Sequence, residues 1–326
     1  MTTSILETHD LKKYYPVTKG LFSRVTGHVR AVDGVTISVP AGRTLGLVGE
    51  SGCGKTTLGR LAIRLLDPDG GRIMFDGADI TAMKQRALRP LRRKMQIIFQ
   101  DPYGSLNPRF TVIDIVGEGL KVFSACKTAK EYRERVVQLL EMVGLSGDIL
   151  SRYPHEFSGG QRQRLGIARA LALDPRFIVC DEPVSSLDVS VQAQIINLLA
   201  DIQKKLGLSY LFISHDLSVV YHISDFVAVM YLGKIVEYAP GDELYANPLH
   251  PYTRALLAAV PVIDPATGAK KLILEKEEPL SRARDERGCS FRMRCPFAKG
   301  ECAAGAPRLE ERRPGHFVSC LFSGKV

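Results

Sequence analysis

The chain has 326 residues, 45 % hydrophobic and 24 % charged, with a formal net charge of +9. These are ordinary globular proportions, and the length suits one large domain with an appendage, or two domains. The longest uncharged stretch, Val189 to Ala200, is about a dozen residues against the roughly 20 that a bilayer-spanning helix needs, which excludes a membrane span of its own. Met1 to Asp10 carries two acids and a histidine where a secretory signal needs a basic flank and a long apolar run, so a cytoplasmic location is expected. The positive charge suits nucleic acid, anionic lipid or a nucleotide alike, since attraction to phosphate does not discriminate among them.

Strand-like apolar runs occur at Thr44 to Val48, Gln96 to Phe99, Phe177 to Cys180 and Tyr210 to Ile213. They alternate with helical patterns such as Glu131 to Val143 and Val189 to Leu206, a rhythm that predicts an α/β layer fold. Asp101 to Pro108, dense in Gly, Pro, Ser and Asn, reads as an irregular loop after a strand, and helical patterns dominate from there to about Leu173. FVAVMYLGKIVEY, from Phe226 to Tyr238, alternates around Leu232-Gly233-Lys234 and predicts a hairpin closing the main domain. Beyond Pro261 the chain turns polar, loses periodicity and gains Cys, Arg and Pro, so the domains are expected at 1–260 and 261–326.

Within the first predicted strand-to-helix junction, Gly49-Glu50-Ser51-Gly52-Cys53-Gly54-Lys55-Thr56 fits GxxxxGK[ST], with Thr57 opening a helix expected to run to Leu66. Glycines let the backbone wrap until its N–H groups face phosphate oxygens, and the helix adds the positive end of its dipole. Lys55 then reaches the β- and γ-phosphates and Thr56 offers a hydroxyl to Mg²⁺. Further along, Phe177-Ile-Val-Cys-Asp181-Glu182 has the form of a buried strand delivering two acids at its C-terminal end, where open α/β sheets bind ligands. Asp181 suits Mg²⁺, directly or through water, and Glu182 suits a general base that polarises an attacking water. Successive strand residues face opposite ways, so only one acid is expected to face the metal squarely.

Phe157-Ser158-Gly159-Gly160-Gln161-Arg162 closely resembles the signature of the ABC ATPases, with Phe157 in place of the usual leading Leu. Phosphate loop, Gln100 after QIIF, signature, Asp181-Glu182, Ser186-Leu187-Asp188 and His215 after YLFIS stand in the order of that family. The resemblance implies a P-loop ABC ATPase fold, with a mixed sheet core and a helical signature subdomain at about 101–173. It also implies that the chain binds ATP and Mg²⁺ and hydrolyses the ATP. Gln100 becomes a residue touching Mg²⁺ or the water, His215 a contact to the γ-phosphate, and Tyr15 in LKKYYP the aromatic that stacks on adenine, with Tyr14 equally able to do so. Ser158, Gly159, Gly160, Gln161 and Asp188 become contacts to nucleotide held on a second cassette. One copy of each element is present, so a two-site sandwich needs a second chain.

Gln100-Asp-Pro-Tyr-Gly-Ser-Leu-Asn-Pro108 and Asn247-Pro-Leu-His-Pro-Tyr-Thr-Arg-Ala-Leu-Leu257 look like segments shared by the ATPases of dipeptide, oligopeptide and nickel importers. That resemblance implies a nonidentical partner ATPase, two transmembrane permease subunits and an extracytoplasmic substrate-binding protein, at the cytoplasmic face of the plasma membrane, and no nucleic-acid partner. The rival readings are a soluble ABC ATPase acting on nucleic acid or the ribosome, and an importer ATPase for nickel or another small solute. Cys289, Cys295, Cys302 and Cys320 follow a C-x5-C-x6-C-x17-C spacing that matches neither zinc knuckles nor ferredoxin patterns. Similar tails in the peptide-importer ATPases imply a [4Fe–4S] cluster, with Zn²⁺ and unmetallated thiols as alternatives. A tail this short is expected to bury little apolar surface, so a metal would supply folding energy. Cys53, Cys126 and Cys180 read as small apolar filler.

Overall fold

The computed structural model describes residues 3–19, 24–101, 103–259 and 288–323. The first half of the chain runs β1 (Ser4–Lys19), β2 (Arg24–Pro40), β3 (Thr44–Val48), α1 (Lys55–Ala62), β4 (Gly70–Phe75), β5 (Ala78–Asp79), α2 (Gln85–Leu91), β6 (Met95–Ile98), α3 (Val112–Val122), α4 (Ala129–Met142) and α5 (Gly159–Leu171). It continues with β7 (Phe177–Asp181), α6 (Val189–Leu206), β8 (Ser209–Ile213), α7 (Leu217–Ile223), β9 (Phe226–Tyr231), β10 (Lys234–Pro240), α8 (Gly241–Ala246) and α9 (Pro251–Ala258). The last elements are α10 (Glu301–Ala304), β11 (Glu310–Arg313) and β12 (His316–Val318). Two compact units interleave along the sequence: one is Met1–Ile5, Val39–Arg43 and Ala82–Ile213, the other Leu6–Ser38, Thr44–Thr81 and Ser214–Val326. The domain boundary expected at 260/261 lies outside the described residues.

In the first unit β6, β7 and β8 are parallel, with β7 in the middle and Ile98 opposite Cys180 and Asp181 opposite Ile213. FIVCD and SYLFI are buried throughout, as parallel strands covered on both faces must be. Helices α3, α4 and α5 pack on one another. Their buried residues, such as Val112, Ile115, Val116 in α3 and Val136, Leu139, Leu140 in α4, recur at helical spacing and form one apolar stripe per helix. These three helices occupy the segment in which the signature subdomain was expected. Asp188 precedes α6, and Gly207, at φ 64°, closes that helix in a left-handed turn where glycine has no Cβ penalty.

The second unit holds a sheet in the order β11-β12-β10-β9-β3 and another in the order β2-β1-β4-β5. Strand β3 is fully buried and parallel to β9, with Leu47 opposite Ala228. The hairpin of β9 and β10 turns at Leu232 and Gly233, both at positive φ. The C-terminal segment does not merely trail from this unit: β12 pairs antiparallel with β10, Tyr238 opposite Phe317, and β11 pairs with β12. The segment buries a few side chains of its own, with Phe291, His316 and Val318 all at 1 % exposure or less. His316 Nε2 lies 2.7 Å from Glu237 Oε1, and the same carboxylate accepts the N–H groups of Leu249 and His250. A fully buried acid is tolerable because each of its oxygens has a partner. Among the described residues no helix is long and apolar enough to cross a membrane.

Candidate functional site

The phosphate loop leaves β3 at Val48 and delivers Lys55 as the first residue of α1. The helix opens two residues earlier than periodicity predicts and ends at Ala62, where the chain turns away through Arg64 at φ 54°. Glycine is obligatory at Gly54, whose φ is 114°, because a Cβ there would lie 2.0 Å from the Ala31 carbonyl oxygen. No side chain caps α1, which leaves its N-terminal end to the loop and whatever the loop holds. Lys55 is buried, its Nζ donating to the carbonyls of Gly49 at 2.7 Å and Glu50 at 3.0 Å. Thr56 and Thr57 are half-buried, Ser51 and Gly52 exposed. Cys53 is packed in the interior, and burial pushes its thiol pKa up, in keeping with apolar filler.

In the same unit, the tyrosine pair separates. Tyr14 is committed: its hydroxyl donates to Asp33 Oδ1 at 2.6 Å, and the Arg30 guanidinium lies 5.5 Å from its ring centroid. Burial pushes the Tyr14 hydroxyl up to about 12. Tyr15 is 38 % exposed, with Lys13 Nζ 5.8 Å from its ring. His215 is exposed directly after the buried end of β8, beside Asp216, whose Oδ1 caps α7 by accepting from Ser218 N–H at 2.8 Å.

The other unit carries the acids. Asp181 ends β7 at 1 % exposure. Glu182 leaves the strand at φ 46°, a left-handed conformation rare for a side-chain-bearing residue, with its N–H donating to Ile213 O at 3.0 Å. Strand alternation therefore does not set the aim of Glu182; the turn does. Since β6 and β7 are parallel neighbours, Gln100, just past the end of β6, meets Glu182, Nε2 to Oε2 at 2.9 Å. Ser185 Oγ donates to the Glu182 carbonyl at 3.2 Å and helps hold the turn. Downstream, Ser186 and Asp188 are exposed, and Val184 is buried.

Signature residue Ser158 is the N-cap of α5: its Oγ accepts from Gln161 N–H at 3.4 Å, and Gln161 Oε1 accepts from Ser158 N–H at 3.0 Å. This reciprocal capping box fixes where the helix begins. The glycines answer to packing, since a Cβ on Gly160 would sit 2.6 Å from Val191 Cγ1 and one on Gly159 3.3 Å from Leu187. Phe157 is buried, an apolar role that the usual Leu would fill equally. Two arginines of α5, Arg162 at the end of the signature and Arg169 beyond it, make contacts for which the motif pattern gave no role. Arg162 lies 4.0 Å over the Tyr103 ring, and the half-buried Arg169 donates to Ser105 O at 2.6 Å, so the signature helix grips the segment that follows Gln100. Their i, i+7 spacing, which puts both on one helix face, was the available signal.

Cys289, Cys295, Cys302 and Cys320 line one small cavity with His250, Phe291 and Phe322. Burial raises the thiols of Cys289, Cys295 and Cys320, that of Cys295 to about 11. The expected ligand set is gathered around one space, yet among the described residues no three His, Cys, Asp or Glu side chains are placed to hold a metal ion. Tyr252, within the importer-like segment Asn247 to Leu257, and Arg294, beside Cys295, were given no site role by the sequence: Glu50 N–H donates to Tyr252 Oη at 2.9 Å, and both Glu50 carboxylate oxygens accept from Arg294, each at 2.8 Å.

A phosphate loop between a buried strand and a helix, and an acid held in a strained turn beside a glutamine, define a P-loop nucleotide hydrolase. Residues 32–185 match the family described as ABC transporter, and residues 236–302 the one described as oligopeptide/dipeptide transporter, C-terminal region. The chain is 53 % identical over 324 residues to the oligopeptide transport ATP-binding protein AppF of Bacillus subtilis, 98 % of each chain being covered. It is 50 % identical over 321 residues to OppF of the same organism, an oligopeptide transport ATP-binding protein, covering 98 % of this chain and 97 % of that one. Among solved structures, a dimeric ATP-binding cassette in a post-hydrolysis state with ADP and Pi aligns at TM-score 0.64 and 26 % identity, over 72 % of this chain and 98 % of that one. CbiO1 of Clostridium perfringens, part of the transporter complex cbiONQ, aligns at TM-score 0.65 and 28 % identity, over 74 % and 91 %. The chain belongs to the ABC transporter ATP-binding family, in the branch that carries the oligopeptide/dipeptide C-terminal region, and it is an ATPase.

Proposed function

We propose that this chain hydrolyses ATP to energise the import of di- or oligopeptides. The observation that carries the chemistry is Glu182, turned out of β7 and hydrogen-bonded to Gln100. Peptide as cargo rests on relatives named for oligopeptide transport and on the matching C-terminal region. Lys55 exchanges its two carbonyl partners for the β- and γ-phosphates, and the N–H groups from Gly49 to Thr57 receive the remaining phosphate oxygens. Tyr15 stacks on the adenine. Thr56, Asp181 and Gln100 are hard oxygen donors of the kind Mg²⁺ prefers, and the ion when bound neutralises charge on the β- and γ-phosphates. Glu182 polarises the attacking water, Gln100 orients it, and His215 donates toward the γ-phosphate.

Ser158, Gly159, Gly160, Gln161 and Asp188 complete the nucleotide site of a second cassette, so ATP favours pairing and hydrolysis removes the bridging charge. In this reading the partner is a similar, nonidentical ATPase. The pair acts at the cytoplasmic face of the membrane, on two permease subunits fed by an extracytoplasmic binding protein. Residues 1–260 serve as the nucleotide-binding domain and 261–326 as a C-terminal module. Four cysteines around one cavity are a donor set suited to iron or zinc. A [4Fe–4S] cluster is the group proposed for them, Zn²⁺ the second choice.

Glu182→Gln tests the ATPase assignment, because it keeps the shape and removes the base. In a complex whose partner ATPase is also disabled, ATP binding is expected to persist while turnover falls by at least about 100-fold. Turnover at the wild-type rate would mean that Glu182 is not the base.

A further inference from the structure

The C-terminal segment and the phosphate loop meet at one residue. Glu50 is held at all three of its polar groups: its N–H by Tyr252 Oη, its carbonyl by Lys55 Nζ, and its carboxylate by both terminal nitrogens of Arg294. Its carbonyl also accepts from Cys53 N–H at 3.3 Å, closing the first turn of the loop. Arg294 adjoins Cys295, so the fork reaching Glu50 starts beside the cysteine-lined cavity.

The base of this clamp is closely packed. Phe291, at 1 % exposure, packs edge-on to Tyr231 at 5.3 Å between centroids and lies 5.4 Å from Tyr252 and 5.7 Å from His250. His250 Nδ1 accepts Tyr252 N–H at 3.0 Å, which fixes the start of α9. The Arg294 side chain is only 10 % exposed and that of Glu50 29 %. A paired charge this far from water contributes little net stability, because desolvation offsets the attraction, but a bidentate fork fixes orientation as a single bond cannot. The loop's requirement is also one of orientation: its N–H groups must face the phosphates before nucleotide arrives, and any ordering left undone is charged against affinity.

We propose that Arg294 is a positioning residue for nucleotide binding, acting through Glu50 to hold the phosphate loop in its receiving shape. The cysteine-bearing segment thereby becomes part of the nucleotide-binding apparatus. This rests on the reading that ATP binds at the Lys55 loop.

The test is titration of the purified full-length chain with a fluorescent N-methylanthraniloyl-ATP, alongside thermal unfolding. Arg294→Ala is expected to raise Kd about tenfold, equivalent to losing about 1.4 kcal/mol of binding. Arg294→Lys, which keeps the charge and loses the fork, is expected to raise it about threefold. Glu50→Ala should match Arg294→Ala, and the double variant should be no more than about twofold weaker than either, as for residues acting in series. A Kd for Arg294→Ala within twofold of wild type, with or without a lower Tm, marks a purely structural contact and overturns the proposal. So do single effects that multiply in the double variant. If Arg294→Ala does not fold, Arg294→Lys decides: a raised Kd supports the role and an unchanged one overturns it. Lys55→Ala separates the two readings, because wild-type affinity in that variant would remove the nucleotide assignment itself, whereas its loss beside an unaffected Arg294→Ala would remove only the positioning role.

Discussion

At the scale of single residues, the acid proposed as the base sits where the backbone is least ordinary. Glu182 adopts a left-handed conformation that costs energy in any L residue with a side chain, and neighbours hold it there: Ile213 through its N–H, Ser185 through its carbonyl, Gln100 through its carboxylate. Its residue type and place in the chain were legible from Phe177-Ile-Val-Cys-Asp-Glu; its aim was not, since strand alternation was the wrong rule one residue beyond the strand. The tyrosine pair is a second case. Two adjacent rings are indistinguishable in sequence, and only the Asp33 bond and the Arg30 contact commit Tyr14 to the protein. Tyr15→Ala is therefore expected to weaken ATP binding by about 1–2 kcal/mol, roughly the value of one base–aromatic stack. Tyr14→Phe should leave affinity unchanged while lowering stability by about 1 kcal/mol, the net worth of one hydrogen bond. Nucleotide titration and thermal unfolding of the two variants check this, and the reverse pattern would exchange their roles.

At the scale of elements, strong periodicity and clear boundaries made β3, β7, β8 and α6 legible, as with Val189–Leu206, bounded by Asp188 and Gly207. The long N-terminal strands were not legible in the same way. In β1 the register shifts between His9 and Lys12, which breaks the two-residue period, although Val35, Ile37 and Val39 in β2 did alternate. The tail strands β11 and β12 are too short to show any period, and the strand that ties them to the sheet, β10, pairs with β12 from some 80 residues earlier, as in the pairing of Glu237 with Val318. Pairing with β10 and burial of Phe291 give this tail structure in its own right, so its metal content is a separate question from its folding. Anaerobic purification followed by iron, sulfide and zinc analysis is expected to return about four irons per chain, the stoichiometry of one [4Fe–4S] cluster. Protein free of iron and sulfide would leave zinc or bare thiols.

At the scale of the whole molecule, the ordered series of motifs already identified a nucleotide-driven machine, because phosphate loop, glutamine, signature, acids and histidine are each needed by one reaction. The contacts that tie the importer-specific segments to that machine could not be read in advance. Arg294 and Glu50 are 244 positions apart, and no local pattern marks either as the other's partner. Coupling of ATP turnover to peptide movement is a property of the full assembly, so it is tested there. The measurement is ATP-dependent uptake of a labelled oligopeptide into vesicles that contain the two membrane subunits, the paired ATPases and the binding protein. Uptake is expected with the wild-type chain and is expected to vanish, in a complex whose partner ATPase is also disabled, with Glu182→Gln while ATP still binds. Uptake that continues at the wild-type rate with Glu182→Gln, or ATP turnover that moves no peptide, would contradict the account.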